Sequence, residues 1–164
     1  MTFRSLGLAC LLGLSLTAAA QNMVDTSDWK EGEVPPPPAF DAAKLLRFDV
    51  SSGSALVYGV DPATLSIGKD GIVRYVLVAS SSSGARNVLY EGLRCSSGEF
   101  KTYARYLPEG SWASVEKAEW RSMFGNLPSR HALQLARAGA CNNSAPASSV
   151  GEIVRQLKKQ GLSP

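Results

Sequence analysis

The chain has 164 residues, with 17 Lys and Arg against 14 Asp and Glu and a formal net charge of +3. So small a basic excess excludes the strongly cationic balance of a nucleic-acid-binding protein. The length suits one domain, and 45% hydrophobic residues suffice to bury a core.

The first residues read MTFRSLGLACLLGLSLTAAAQN. Arg4 lies in a short polar start, an apolar run extends from Leu6 to Leu16, and Ala18, Ala19 and Ala20 supply small residues for cleavage. This is the three-part pattern of a secretory signal peptide. The run is too short to cross about 30 Å of hydrocarbon. Residues 1–20 are therefore read as a leader, with Cys10 as filler within its apolar run. Loss of Arg4 reduces the basic excess by one. No later stretch is apolar enough to span a membrane, so the expectation is an exported, periplasmic protein without a stable membrane span.

Residues 21–44 read as a Pro-rich arm. Pro35, Pro36, Pro37 and Pro38 cannot form a helix and suit extended polyproline II. Trp29 and Phe40 flank this rod. They are expected to pin the arm onto its own domain; docking of the same six residues into a partner is the rival expectation. The arm is expected to be ordered only where these two aromatics touch.

Residues 45–164 read as a single domain. LLRFDV and ALVYGV are strands joined through Ser51–Ser54, and Asp61-Pro62 starts a turn. TLSI precedes Gly68-Lys69-Asp70-Gly71, a strong hairpin signal because Gly accepts positive φ. IVRYVLVA and NVLYEGLRC flank Ser80–Gly84, and EFKTYARYL follows. The pattern is an antiparallel meander of about six strands. On the second of these long strands Leu89, Glu91, Leu93 and Cys95 share a face, and Gly92 suggests a bulge or a close neighbour. Glu91 and Arg74 are expected to pair.

The last third is helical. Ser129 reads as an N-cap for RHALQLARAGA, with Leu133, Ala136 and Ala140 along one face and Asn142-Asn143 at its end. Ser149 and Glu152 form a capping box before Val150, Ile153, Val154 and Leu157, and Gly161 suits the C-terminal stop. The fold class is α+β: a meander followed by two C-terminal helices packed on the sheet.

Catalytic signals are weak. Serines 80–83 join two strands, which is turn chemistry and no nucleophile elbow. His131 is the only histidine; beside Arg130 in a first helical turn, a surface or half-buried place is expected for it. Carboxylate pairs are set by three-dimensional geometry, and nothing in the spacing points to one. No residue is assigned a catalytic role, and the motifs imply neither metal nor cofactor. Trp29, Trp112 and Trp120 read as structural aromatics, and Arg86, Arg94, Arg105 and Lys101 as scattered charge. Cys95 and Cys141 are the two cysteines left after processing, and an exported chain favours a disulfide between them. A reactive thiol at Cys95 beside Arg94 is the rival reading.

The ordered set Trp29, Pro35–Pro38, Phe40, Asp61-Pro62, DGIVRY, SGARNV, YEGLRC, Trp112, Trp120, His131 and Cys141 resembles the cryptic neisserial protein-like family of exported bacterial proteins. The resemblance implies an exported single domain of uncharacterised activity and brings no catalytic residues. The residues favour a non-catalytic interaction or structural domain of the cell envelope, acting on an unknown envelope protein or ligand. A small envelope hydrolase using His131 or a carboxylate is the alternative, as is a module that binds an envelope polymer or small ligand.

Overall fold

The computed structural model describes residues 28–51 and 54–160. The expected leader, the first residues of the arm and Gly161 lie outside them. The strands are β1 (Leu46–Phe48), β2 (Leu56–Val60), β3 (Ser66–Ile67), β4 (Ile72–Ser81), β5 (Arg86–Arg94), β6 (Glu99–Tyr106), β7 (Trp112–Ser114) and β8 (Arg121–Ser122). They form one eight-stranded antiparallel sheet in the order β1-β2-β4-β5-β6-β7, with β3 added to β4 and β8 to β6.

The first six strands are those expected from the sequence. The count of about six is corrected to eight by β7 and β8, which both pair with β6. At three and two residues they are too short to show alternation. The turns follow the local chemistry. Gly71 has φ 77° between β3 and β4, and Gly84 has φ 86° at the tip between β4 and β5. The serine cluster is that tip: Gly84 N–H donates to Ser81 C=O at 3.1 Å, and the Ser81 and Ser83 hydroxyls are 2.8 Å apart.

Both faces of the sheet are covered. One carries Val73, Tyr75, Leu77, Leu89, Leu93 and Phe100 and packs against Leu133, Leu135, Ile153 and Leu157 of the helices. The other carries Val76, Val78, Val88, Tyr90 and Ala104, covered by Val34 and Phe40 of the arm with Leu45 and Trp112. Burial on both faces explains why β4 reads as a nearly unbroken apolar run.

Helix α1 (His131–Leu135) is shorter than the sequence suggests. It widens through Ala136–Ala140, where the Cys141 N–H donates to Ala136 C=O five residues back. Gly139, at φ 122°, ends it, and the Gln156 side chain occupies the space a Cβ there would need. A two-stranded ladder, β9 (Cys141–Asn142) with β10 (Ala145–Pro146), leads to α2 (Val150–Gln160). Ser149 Oγ accepts from Glu152 N–H at 3.2 Å, as the capping box requires.

A bulge between β5 and β6 fixes the rest. Tyr90 pairs with Ala104 and Glu91 with Thr102, so Tyr103 is the extra residue. Thr102 therefore faces the helices, while Tyr103 joins Ala104 on the side of the arm. Gly92 meets its close neighbour here: a Cβ would lie 2.5 Å from Tyr103 Oη and 2.8 Å from Ile72 Cγ2. Arg74 is registered with Gly92 and Tyr75 with Glu91. Arg74 and Glu91 thus point to opposite faces, and the expected pair between them does not form.

Candidate functional site

Glu91 lies on the helix side of β5 between Leu89 and Leu93, fully buried. A lone carboxylate there would cost several kcal/mol. Its oxygens are all engaged. Oε2 lies 2.9 Å from His131 Nε2 and accepts from Tyr75 Oη at 3.1 Å, and Oε1 accepts from Thr102 Oγ1 at 2.9 Å. Burial raises the Glu91 carboxyl, but the His131 charge and these hydrogen bonds outweigh it and hold the group below the ordinary glutamate value. The other ring nitrogen of His131, Nδ1, is 3.1 Å from Ser129 Oγ, which itself lies 3.2 Å from Tyr58 Oη. Tyr58 stacks on the imidazole with ring centroids 6.1 Å apart, and Phe100 meets it edge-on at 5.6 Å.

His131 is 8% exposed, so the expected surface or half-buried place is corrected to a buried one. The first turn of α1 faces the sheet at the one point where β5 carries an acid. Ser129, His131 and Glu91 make a hydrogen-bonded chain in the order used by serine hydrolases. Ser129 Oγ, however, also accepts the His131 backbone N–H at 3.3 Å. Four clefts among the described residues are lined by side chains other than these three.

The arm is held by a second network on the opposite face. Trp29 Nε1 donates to Asp70 C=O at 3.0 Å, and Gly32 N–H donates to Asp70 Oδ2 at 3.0 Å. Arg74 forks onto the same carboxylate, Nη2 to Oδ2 at 2.6 Å and Nη1 to Oδ1 at 3.2 Å. Glu31 accepts from Lys101 Nζ at 2.8 Å and from Tyr103 Oη at 2.7 Å. Burial opposes ionisation of Glu31 and Asp70. The bonds from Lys101 and Tyr103 to Glu31, and from Arg74 and backbone amides to Asp70, overcome it and lower both groups. Burial, with the Glu31 carboxylate, pushes the Tyr103 phenol far up.

Of the arm residues singled out from the sequence, Trp29 is half-buried, with the Arg94 guanidinium 3.7 Å above its ring and Trp120 edge-on at 5.9 Å. Phe40 packs edge-on to Tyr106 at 5.0 Å and Trp112 at 6.0 Å. Pro35 and Pro36 are exposed, and Pro37 and Pro38 are half-buried. The arm thus docks on its own domain, and Glu31, Gly32 and Val34 hold it as well as the two aromatics. The part Glu31 and Gly32 play in holding the arm was not legible in the sequence, because their partners lie about 40 to 70 positions away. Between Pro35–Pro37 and the aromatic pair Tyr90 and Tyr103 a cleft of about 370 Å³ remains open.

Cys95 and Cys141 are bonded, with Cα atoms 5.7 Å apart, inside the range a disulfide requires. The bond ties the end of β5 to the strand after α1. A groove of about 410 Å³ beside it runs past Met123, Leu133 and the exposed Phe124. Among the described residues no group of three or more His, Cys, Asp or Glu could hold a metal ion, and no helix is long and apolar enough to cross a membrane.

These features define a small disulfide-bonded α+β domain whose one histidine is part of its core and whose Pro-rich arm is strapped across the sheet. The chain belongs to the CNP1-like family, which it matches over residues 24–158. It is similar to cryptic neisserial protein 1 of Neisseria gonorrhoeae (strain ATCC 700825 / FA 1090), with 26% identity over 149 residues, 81% of this chain and 73% of that protein. No solved structure matches it.

Proposed function

We propose that this is a non-catalytic domain exported to the periplasm, which works there by binding an envelope component. The observation that carries the reading is the burial of the Glu91–His131 pair. The one histidine and its carboxylate are committed to Tyr75, Thr102 and Ser129, and neither lines any of four clefts among the described residues. General acid–base chemistry needs a group within hydrogen-bond reach of its substrate. The disulfide supports export, since such bonds persist in oxidising compartments. The accessible features that remain are surfaces, foremost the cleft beside the exposed Pro35 and Pro36.

The test is fractionation of cells producing the full chain, with thiol labelling and a photo-crosslinking residue at position 36. Periplasmic protein without free thiols and a discrete adduct from position 36, absent from position 155 on α2, is the expected result. Cytoplasmic protein with free thiols would overturn it. The chain Ser129–His131–Glu91 supports the second reading, a hydrolase. Labelling of Ser129 by a fluorophosphonate in the native protein would establish that reading instead.

A further inference from the structure

The outer edge of β6 is divided between two short strands. β7 pairs with Ala104–Tyr106 and β8 with Glu99 and Phe100. The Val115 N–H donates to Tyr103 C=O at 2.8 Å, at the bulge. From there the connection to β8, with Thr102 and Arg105 of β6, lines an open cleft of about 220 Å³. Arg105 enters it from β6, and Lys117 and Arg121 from the connection and its end. Among the described residues, none of these three head groups takes part in a side-chain hydrogen bond or an ion pair. The Arg121 guanidinium is instead laid over the Phe100 ring, 4.6 Å from its centroid. Glu119 is the acid of this cleft, so the cations outnumber it three to one.

We propose that this cleft binds an oxyanion, a carboxylate or a phosphate group carried by an envelope component. Three like charges in one concavity repel one another, and an anion between them removes the repulsion. Cleft walls of low dielectric focus the field on that position. Guanidinium groups present fixed pairs of donors that match carboxylate and phosphate oxygens. The volume admits a headgroup and is too small for a whole drug-sized ligand. Thr102, which also lines the cleft, already donates its hydroxyl hydrogen bond to Glu91 Oε1, so the cations carry recognition. Glu119 supplies an acceptor for a hydroxyl beside the anion.

The inference deepens the proposed function by naming a ligand chemistry, and rests on that reading only for its setting. The test is an amide chemical-shift titration of the purified disulfide-bonded domain with inorganic phosphate, with glucuronate, and with chloride at matched ionic strength. Saturable shifts in residues 115–121 with phosphate or glucuronate but not chloride are expected, and the tighter of the two identifies the source of the group. The exposed pair Arg105→Ala/Lys117→Ala should weaken binding at least ten-fold with the remaining spectrum unchanged. Lys158→Ala/Lys159→Ala on α2 should leave it unaltered. Shifts that do not saturate, or that survive the first pair, would overturn the site. Periplasmic, oxidised protein that binds neither anion sinks only this inference; cytoplasmic, reduced protein that binds one sinks only the proposed function.

Discussion

Glu91 Oε2 and His131 Nε2 lie 2.9 Å apart across 40 positions of sequence, in a place where the glutamate has no exposure to solvent. The contact joins the middle of the sheet to the first turn of α1. It makes the docking of that helix include a buried polar cluster, with the Tyr75, Thr102 and Ser129 hydroxyls around the pair, inside a largely apolar layer.

Breaking this pair should be costly. His131→Ala leaves the Glu91 charge buried with only the Tyr75 and Thr102 hydroxyls, a loss of about 3–5 kcal/mol. Glu91→Gln, which keeps the shape and a hydrogen bond to His131, should cost less. Urea unfolding of the three proteins checks the order, and equal losses would contradict it.

Acid should release the arm. Glu31 and Asp70 have lowered folded values, so their contribution is complete above the ordinary carboxylate range and is lost as pH falls through the folded values. The Gly32 amide, which bonds to Asp70 Oδ2, reports this by NMR. Its transition should be centred below about 3.9, the ordinary aspartate value. A midpoint above that would reverse the sign and contradict the account.

Gly92→Ala should destabilise the domain by about 1–3 kcal/mol, the usual cost of overpacking a filled site. The new methyl meets Tyr103 Oη on one side and the buried Ile72 on the other. Because Tyr103 also holds Glu31, tryptic cleavage at Lys30 should accelerate. Unchanged stability and unchanged cleavage would show that the strand yields freely.

Cys95 and Cys141 close a loop with a separation of 46. Chain entropy alone gives such a bond about 4 kcal/mol. The double substitution to alanine should lower the thermal midpoint by several degrees or more, measured by circular dichroism. Thiol labelling of the denatured, unreduced wild type should find both residues blocked.

The sequence by itself determined what is local. Turn glycines, β-branched runs and caps placed β1 to β6, the serine tip and α2, because these signals act over a few residues. The disulfide followed from cysteine count and the expected compartment, and the family from an ordered set of short motifs. The two edge strands were illegible, since each is defined only by its pairing with β6. The reach of α1 was missed because Gly139 and Gln156 interlock across two helices. Only the tertiary structure decided the polar contacts. Arg74 was expected to meet Glu91, but strand parity sends them to opposite faces: Arg74 goes to Asp70, and Glu91 to a histidine 40 residues away. A one-residue bulge then turned Thr102 toward that glutamate and Tyr103 toward the arm. The physical reason is the two-residue period of a strand. It fixes which side chains share a face, but which distant element covers that face is settled by packing alone.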